Sequence, residues 1–253
     1  MFKHVIVRRP GRSLIEGITS ANLGKPDYNR ALQQHDGYID TLKNRGVKVK
    51  ILEAEEQFPD AVFVEDTAVL TERCAIITNP GALSRQGEEI TIKEALKEFY
   101  TNMETITAPG TLEGGDVMRV GDHFYVGLSD RTNEDGFRQF AGILNKYRYT
   151  ASTVKLEKFL HLKTGLAYLE NNNLLVAGEF VEHEEFKKFK RIIIDETEGY
   201  AANCIWVNDA VLVPMGYPKT RAAISKAGYN VIEVDVSEFR KLDGGLSCLS
   251  LRF

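Results

Sequence analysis

Apolar residues along the chain come in short runs that fall into pairs, and each pair follows a polar or glycine-bearing junction. Residues 68–70 and 75–77 follow Glu65-Asp66, and 117–118 and 124–126 follow Gly115-Asp116. Residues 166–169 and 174–176 follow Thr164-Gly165, and 204–207 and 211–213 follow Asn203. Runs this short, bounded by turn residues, predict strands. The turns Gly121-Asp122, Asn171-Asn172-Asn173 and Asn208-Asp209 hold the residues that reach positive φ most easily, so the pairs predict hairpins.

A helix is expected after each hairpin. Phe137, Phe140, Ile143, Leu144 and Tyr147 fall at helical spacing behind Thr132, a candidate cap. Residues 218–226 begin with Pro218 and run out before Gly228, the usual asymmetry of helix ends. A further strand follows each helix, as at 231–234, giving a unit of strand, strand, helix, strand. The markers Asp66, Asp116, Gly165 and Asn203 lie 50, 49 and 38 residues apart. Residues 248–253, with a strand at 5–7, a helix at 27–45 and a strand at 47–52, supply a fifth unit closed by both termini. Such units cannot bury both faces alone, so a ring around a common axis is expected, in preference to an ordinary open α/β sheet.

The 253 residues allow one large domain or two. Hydrophobic residues make up 43% and charged residues 27%, with 21 Gly against 7 Pro, which excludes a disordered or collagen-like chain. The net charge is −4 and no basic block occurs, so a nucleic-acid partner is not expected. The first ten residues hold one short apolar run broken by charge, neither a signal peptide nor a membrane span, and a cytoplasmic location is expected. Cys74, Cys204 and Cys248 are odd in number and widely spaced, without a zinc-like histidine partner, so neither a disulfide framework nor a metal site is expected.

In a ring, polar residues at the junctions converge on the axis. The candidates are Asp60, Glu65 and Asp66, then Glu113, His161 and Cys248. Cys74 and Cys204 lie in apolar strands and read as core thiols. Cys248 follows Asp243-Gly244-Gly245, glycines that clear space for a ligand near the backbone. It reads either as a small buried residue or as a nucleophile served by His161, since a thiolate needs a cation or base beside it. His161, between Leu160 and Leu162, is either semi-buried and structural or that base. His4, His35 and His183 have no companion chemistry, and His123 is placed in a hairpin turn. Several carboxylates converging on one axis call for a cationic, planar ligand such as a guanidinium. Arg85 and Arg131 follow their units' first strands at similar offsets, as carboxylate binders or as surface charges.

The segments Phe58-Pro59-Asp60-Ala61-Val62-Phe63-Val64-Glu65-Asp66, Glu113-Gly114-Gly115-Asp116, His161-Leu162-Lys163-Thr164-Gly165 and Asp243-Gly244-Gly245-Leu246-Ser247-Cys248-Leu249-Ser250-Leu251-Arg252-Phe253 resemble the bacterial dimethylarginine dimethylaminohydrolase family. The resemblance spans essentially the whole chain, with four motifs in order. It implies a single catalytic domain over 1–253 with the pentein fold, a five-bladed α/β propeller of the guanidine-modifying superfamily. It implies hydrolysis of Nω-methylated arginine to citrulline and methylamine or dimethylamine, without cofactor or metal. By motif position Cys248 is the nucleophile, His161 the general acid and base, and Glu113 the carboxylate beside it. Asp66 holds the guanidinium with Glu65 in support, Asp60 takes the substrate's amino end, and Arg85 and Arg131 its carboxylate. Ile18 and Leu242 supply lid or backbone contacts.

Other readings stay open at this point. Arginine deiminases share the fold but carry a second acid two residues after the histidine and an inserted helical domain; here position 163 is Lys and the insertion is absent. Amidinotransferases are longer chains. A non-catalytic pentein binding module has no need of Cys248, His161 and Glu113 together. A small-molecule substrate is the expected partner, and a homodimer is left open.

Overall fold

The computed structural model describes all 253 residues, and its strands form five separate three-stranded sheets. The strand β1 (His4–Arg8) pairs in parallel with β2 (Lys48–Leu52) across the helix α1 (Tyr28–Asn44), and with the chain's last strand on its other edge. The first blade is β3 (Ala68–Leu70), β4 (Ala75–Ile77), α2 (Glu88–Leu96) and β5 (Met103–Thr105). The second is β6 (Val117–Val120), β7 (His123–Leu128), α3 (Glu134–Lys146) and β8 (Thr150–Lys155). The third begins with the single-turn helix α4 (Leu162–Gly165), followed by β9 (Leu166–Tyr168), β10 (Asn173–Val176) and β11 (Lys190–Ile193). The fourth is β12 (Ile205–Val207), β13 (Ala210–Pro214), α5 (Pro218–Lys226) and β14 (Asn230–Val234), after which come α6 (Ser237–Arg240) and β15 (Leu251–Arg252).

In every blade the middle strand runs antiparallel to one neighbour and parallel to the other, so the register repeats five times. The expected ring of strand, strand, helix, strand units is present, its fifth member closed by the two termini. Positive φ falls at Gly121, Asn171, Asn172 and Asn208, where the hairpin turns were expected.

Three local expectations change. No α-helix follows the third hairpin; two 3-10 turns, Gly178–Phe180 and Glu184–Phe186, take its place. Phe180 and Phe186 bury their rings completely in the space a helix would fill, and the short spacing of 38 residues was the trace of this. The cap of α3 is Asn133, whose side chain accepts from Gly136 N at 2.8 Å, because the Thr132 hydroxyl is turned inward to accept from Glu113 N at 3.1 Å. His123 opens β7 instead of lying in the turn, and its ring meets the Thr150 and Ser152 hydroxyls.

Apolar clusters fill the spaces between blades. The largest packs Tyr38, Ile39 and Leu42 of α1 against Phe239, Leu246 and Leu249, and Cys248 lies at its edge. Tyr38 also donates to Leu246 O at 3.0 Å and lies 2.6 Å from Ser250 Oγ, so α1 pins the segment that carries Cys248. Burying the phenol demands such partners. No helix of the chain is long and apolar enough to cross a membrane.

Candidate active site

Each junction delivers its polar residues to the axis through one short turn placed just before a blade's first strand. Val64–Thr67 presents Glu65 and Asp66, Gly114–Asp116 follows Glu113, and His161 stands immediately before α4. The closing segment brings Cys248. Close approach is possible because glycines stand at the contacts. A Cβ at Gly115 would lie 2.7 Å from His161 Nδ1 and 2.9 Å from Asp66 Oδ1, and one at Gly245 would lie 2.4 Å from the Asn203 side chain. The clearance at Gly244-Gly245, expected to serve a ligand, is taken up by Phe63 and by Asn203.

A cavity of about 30 Å³ lies on the axis, lined by Glu65, His161, Lys163, Asn203, Ser247 and Cys248 among others. His161 Nε2 lies 2.7 Å from Glu113 Oε2, and both residues are buried. The other Glu113 oxygen accepts from Gly81 N at 3.0 Å and lies 3.8 Å from Arg131 Nη1. Burial opposes charge on both members of the pair. Around His161, Asp66, Asp116 and Glu113 outweigh it and raise the imidazole pKa, so the ring is held protonated. At Glu113 the hydrogen bond and charge of His161, with Arg85 and Arg131, lower the carboxyl pKa. Asp116, fully buried, accepts from Leu162 N at 3.0 Å and Ser129 Oγ at 2.6 Å, fixing the turn behind His161.

Asp66 Oδ1 accepts from Gly115 N at 2.8 Å and Oδ2 from Arg85 Nη1 at 2.6 Å. Glu65 is bound from behind: Oε1 meets Lys163 Nζ at 2.7 Å and Arg252 Nη2 at 3.0 Å, and Oε2 accepts from Ser247 Oγ at 2.6 Å. Burial, then Glu65 and Asp66, push the Cys248 thiol up to about 12, against the Gly245 N–H and Lys163. It is therefore neutral near pH 7. Cys74 and Cys204 are buried thiols, and burial raises both.

The remaining candidates take separate places. Both oxygens of Asp60 accept from Ile18 N, at 3.1 and 3.2 Å, and Leu242 is buried against Gly17 beside them. The same N-terminal loop bonds onward, Ser20 N to Asp243 Oδ2 at 2.6 Å. Arg85 is buried, and its N–H groups go to Asp66, Glu88 and the carbonyls of Asp60 and Phe63; in this arrangement it braces the floor of the site. Arg131 keeps partial exposure beside Glu113. Sequence reasoning passed over Asp116, Glu88, Arg252 and Ser247 as site residues, and used Lys163 only to set aside the deiminase. Ligand atoms of Asp66, Glu113 and His161 lie within 4.8 Å of one another; both Asp66 oxygens already accept, from Gly115 N and Arg85 Nη1, and His161 Nε2 is taken by Glu113.

Five three-stranded blades around a polar axis, with a thiol, a buried acid–imidazole pair and further carboxylates meeting on it, define the guanidine-modifying pentein class. The family model described as "N,N dimethylarginine dimethylhydrolase, eukaryotic" matches residues 24–250. The N(G),N(G)-dimethylarginine dimethylaminohydrolase of Pseudomonas aeruginosa is 59% identical over the full length of both chains, and that of Streptomyces coelicolor is 33% identical over 99% of this chain and 96% of its own. The crystal structure of a cysteine-to-serine variant of the Pseudomonas enzyme complexed with citrulline superposes with a TM-score of 0.99 at 59% identity, covering all of both chains. The N-terminal domain of ArgZ, an arginine dihydrolase, shares the fold at a TM-score of 0.90 and 22% identity, covering 100% of this chain and 97% of its own. The chain belongs to the dimethylarginine dimethylaminohydrolase family.

Proposed function

We propose that this chain hydrolyses Nω-methylated arginine to citrulline and methylamine or dimethylamine, with Cys248 as nucleophile and His161 as proton shuttle. The observation that carries the reading is the meeting, from three blades and the closing segment, of a neutral thiol, a protonated imidazole held by Glu113, and the carboxylates of Glu65 and Asp66. The full-length relatives at 59% and 33% identity support the same substrate class.

Two acids beside a thiol hinder its ionisation. The same acids attract a guanidinium, and a bound guanidinium supplies the cation the thiolate needs. The substrate therefore turns on its own nucleophile. As the guanidinium binds, the thiol releases its proton to solvent, and the sulfur attacks the guanidinium carbon to give a neutral tetrahedral adduct. His161, its Nε2 held by Glu113, gives a proton from Nδ1 to the departing amine, and the C–N bond breaks to leave a cationic thiouronium on Cys248. His161, now neutral, takes a proton from water as the water oxygen attacks the same carbon. Collapse of this second adduct breaks the C–S bond, its hydroxyl proton passes to the departing sulfur, and citrulline leaves with Cys248 restored as a thiol. The guanidinium and the thiouronium are cationic, so carboxylates stabilise them where acyl transfer uses an oxyanion hole.

Asp60 receives the substrate ammonium in place of the Ile18 amide. Arg131, with Arg85 behind it, receives the carboxylate. Ile18 and Leu242 close over the site. A cavity of about 30 Å³ is too small for an amino acid, so binding needs a rearrangement, and the 17–20 loop, bonded to Asp60 and to Asp243 at the cavity's edge, is the segment assigned to it. Lys163 occupies a Glu65 oxygen and accepts no hydrogen bond, which disfavours the two unmethylated terminal nitrogens of arginine.

Steady-state citrulline formation from arginine, monomethylarginine and the two dimethylarginines tests the reading. The asymmetric dimethyl and monomethyl forms are expected to give clearly higher kcat/KM than arginine, and symmetric dimethylarginine to be poor. Arginine equal to or better than monomethylarginine would overturn it in favour of a deiminase.

A further inference from the structure

At three junctions a side-chain oxygen accepts a backbone N–H from the next blade round the axis. Asp66 Oδ1 accepts from Gly115 N at 2.8 Å, Asp116 Oδ1 from Leu162 N at 3.0 Å, and Asn203 Oδ1 from Ser247 N at 2.9 Å. The other marker, Gly165, has no side chain. Closing the ring therefore asks only for an acceptor oxygen, which Asp provides as well as Asn. The second terminal atom is where the positions differ. Asp66 Oδ2 faces Arg85, and Asp116 Oδ2 faces Ser129. The corresponding atom of Asn203 is a donor, Nδ2, which lies 3.1 Å from Ser247 Oγ and 4.0 Å from Cys248 Sγ.

We propose that Asn203 is a positioning residue for the nucleophile. Its Oδ1 fixes the turn bearing Cys248, while its Nδ2 turns an N–H dipole toward the sulfur beside the Gly245 N–H, 3.4 Å from Sγ. The inference rests on Cys248 being the nucleophile. An aspartate at 203 would close the ring equally well and add a third carboxylate against the sulfur. Glu65 and Asp66 already face it from the first blade. The other ionisable groups around it are His161 and Lys163 from the third blade, Tyr200 from the turn before β12, and Asp243 from the closing segment. Of these, Lys163 assists ionisation of the thiol and the two carboxylates resist it. An amide lets one residue hold the turn and favour the anion at once.

The test is the pH dependence of Cys248 alkylation by iodoacetamide in the ligand-free enzyme, with the labelled cysteine mapped by mass spectrometry. Asn203→Asp should move the profile to higher pH by at least about one unit, so that labelling at pH 8 slows about tenfold or more. Asn203→Ala should move it in the same direction by less. A residue that merely held the turn would change melting temperature and leave the profile where it was. Profiles of the folded variants that superimpose on wild type overturn the proposal. Should neither variant fold, the Asn203 side-chain amide resonances are compared by NMR at pH 7 between the unsubstituted enzyme and Cys248→Ser. A change at the Asn203 Nδ2 protons supports the contact, and resonances that stay in place refute it. Full turnover in Cys248→Ser would sink the nucleophile reading separately, because the alkylation profile reports on the sulfur whatever its role.

Discussion

Glu65, Lys163 and Ser247 form a wall one side chain thick between two very different spaces on the axis. On the side of Cys248 and His161 the cavity measures about 30 Å³, while behind the wall a chamber of about 960 Å³ is lined by Phe2, Tyr168, Trp206 and Phe253. In the narrow space every charge must find a protein partner, and interactions there act at low effective dielectric. That is where the imidazole is held protonated and the thiol held neutral. The wide side admits solvent and supplies the counter-charges, Lys163 and Arg252, that hold Glu65 from behind. The contrast shows how a ring of similar blades makes a site at one end only: the first two junctions bring Glu65, Asp66 and Glu113 there, and the third brings His161.

Removing a charge from the narrow side should have the largest effect. Asp66→Asn takes away an acid proposed to grip the guanidinium, and kcat/KM is expected to fall on the order of 10²–10³-fold or more. The same change should speed alkylation of Cys248 in the ligand-free enzyme, since Asp66 is one of the groups that resist thiolate formation. Turnover and alkylation moving in opposite directions is the diagnostic, measured by citrulline release and by iodoacetamide labelling. Both falling together would mean that Asp66 does not act on the sulfur as an anion.

Glu113→Gln comes next, with a loss of about 10²-fold expected for a general acid deprived of its counter-ion. The pH dependence carries a definite sign. His161 has a folded pKa raised above its unfolded value of 6.5, so its stabilisation is complete below that value and is lost as pH rises through the folded one. Glu113 has a folded pKa lowered below 4.5, so its stabilisation is complete above that value and is lost as pH falls through the folded one. The pair thus stabilises fully between 4.5 and 6.5. The melting-temperature gap between wild type and Glu113→Gln should be widest in that window, and the alkaline limb of kcat should move to lower pH in the variant. A gap that does not change with pH would remove the ion pair from the account.

Much of this site was legible before any coordinates. Glu65-Asp66, Glu113 and His161 interrupt an apolar pattern at intervals of 47 and 48 residues, with the cysteine in the closing segment, and a break of that kind marks where a chain turns toward a shared axis. The ring followed from the same interval. What stayed hidden depended on how blades meet. Asn203 served as a marker of the repeat, yet nothing in its own segment tells that its amide reaches a turn 44 residues away. Gly244-Gly245 reads as room for a ligand until Phe63 and Asn203 are seen to fill it. Arg85 follows its strand at an offset similar to that of Arg131, but one is buried against Asp66 and Glu88 and the other is partly open. The missing third helix was signalled by a short interval whose meaning needed the packed phenylalanines to explain it.

The wall itself should respond more mildly than the acids in front of it. Lys163→Met removes one of two cations on Glu65 while Arg252 remains at 3.0 Å, so Glu65 stays oriented. Lys163 also assists ionisation of Cys248. A decrease of about tenfold in kcat/KM is expected, equivalent to about one unit of thiol pKa, together with slower alkylation. Unchanged alkylation would show that the charge of Lys163 does not reach across the wall.

The smallest effect is expected behind it. Trp206 lines the chamber and sets its ring 6.3 Å from that of Phe2, a packing contact at the rear of the fourth blade with no bond to any axial polar group. Trp206→Ala should therefore cost about 1–2 kcal/mol of stability through lost apolar contact, read from denaturant midpoints. It should leave kcat/KM for methylated arginine within about twofold of wild type, since electrostatic effects on the chemistry come from charges and dipoles on the narrow side. A loss of turnover as large as that of Lys163→Met, in a variant that remains folded, would contradict the division between the two spaces. The chamber would then have to be counted as part of the catalytic apparatus, acting on the sulfur or on Glu65 through the Lys163 and Ser247 side chains that face both ways.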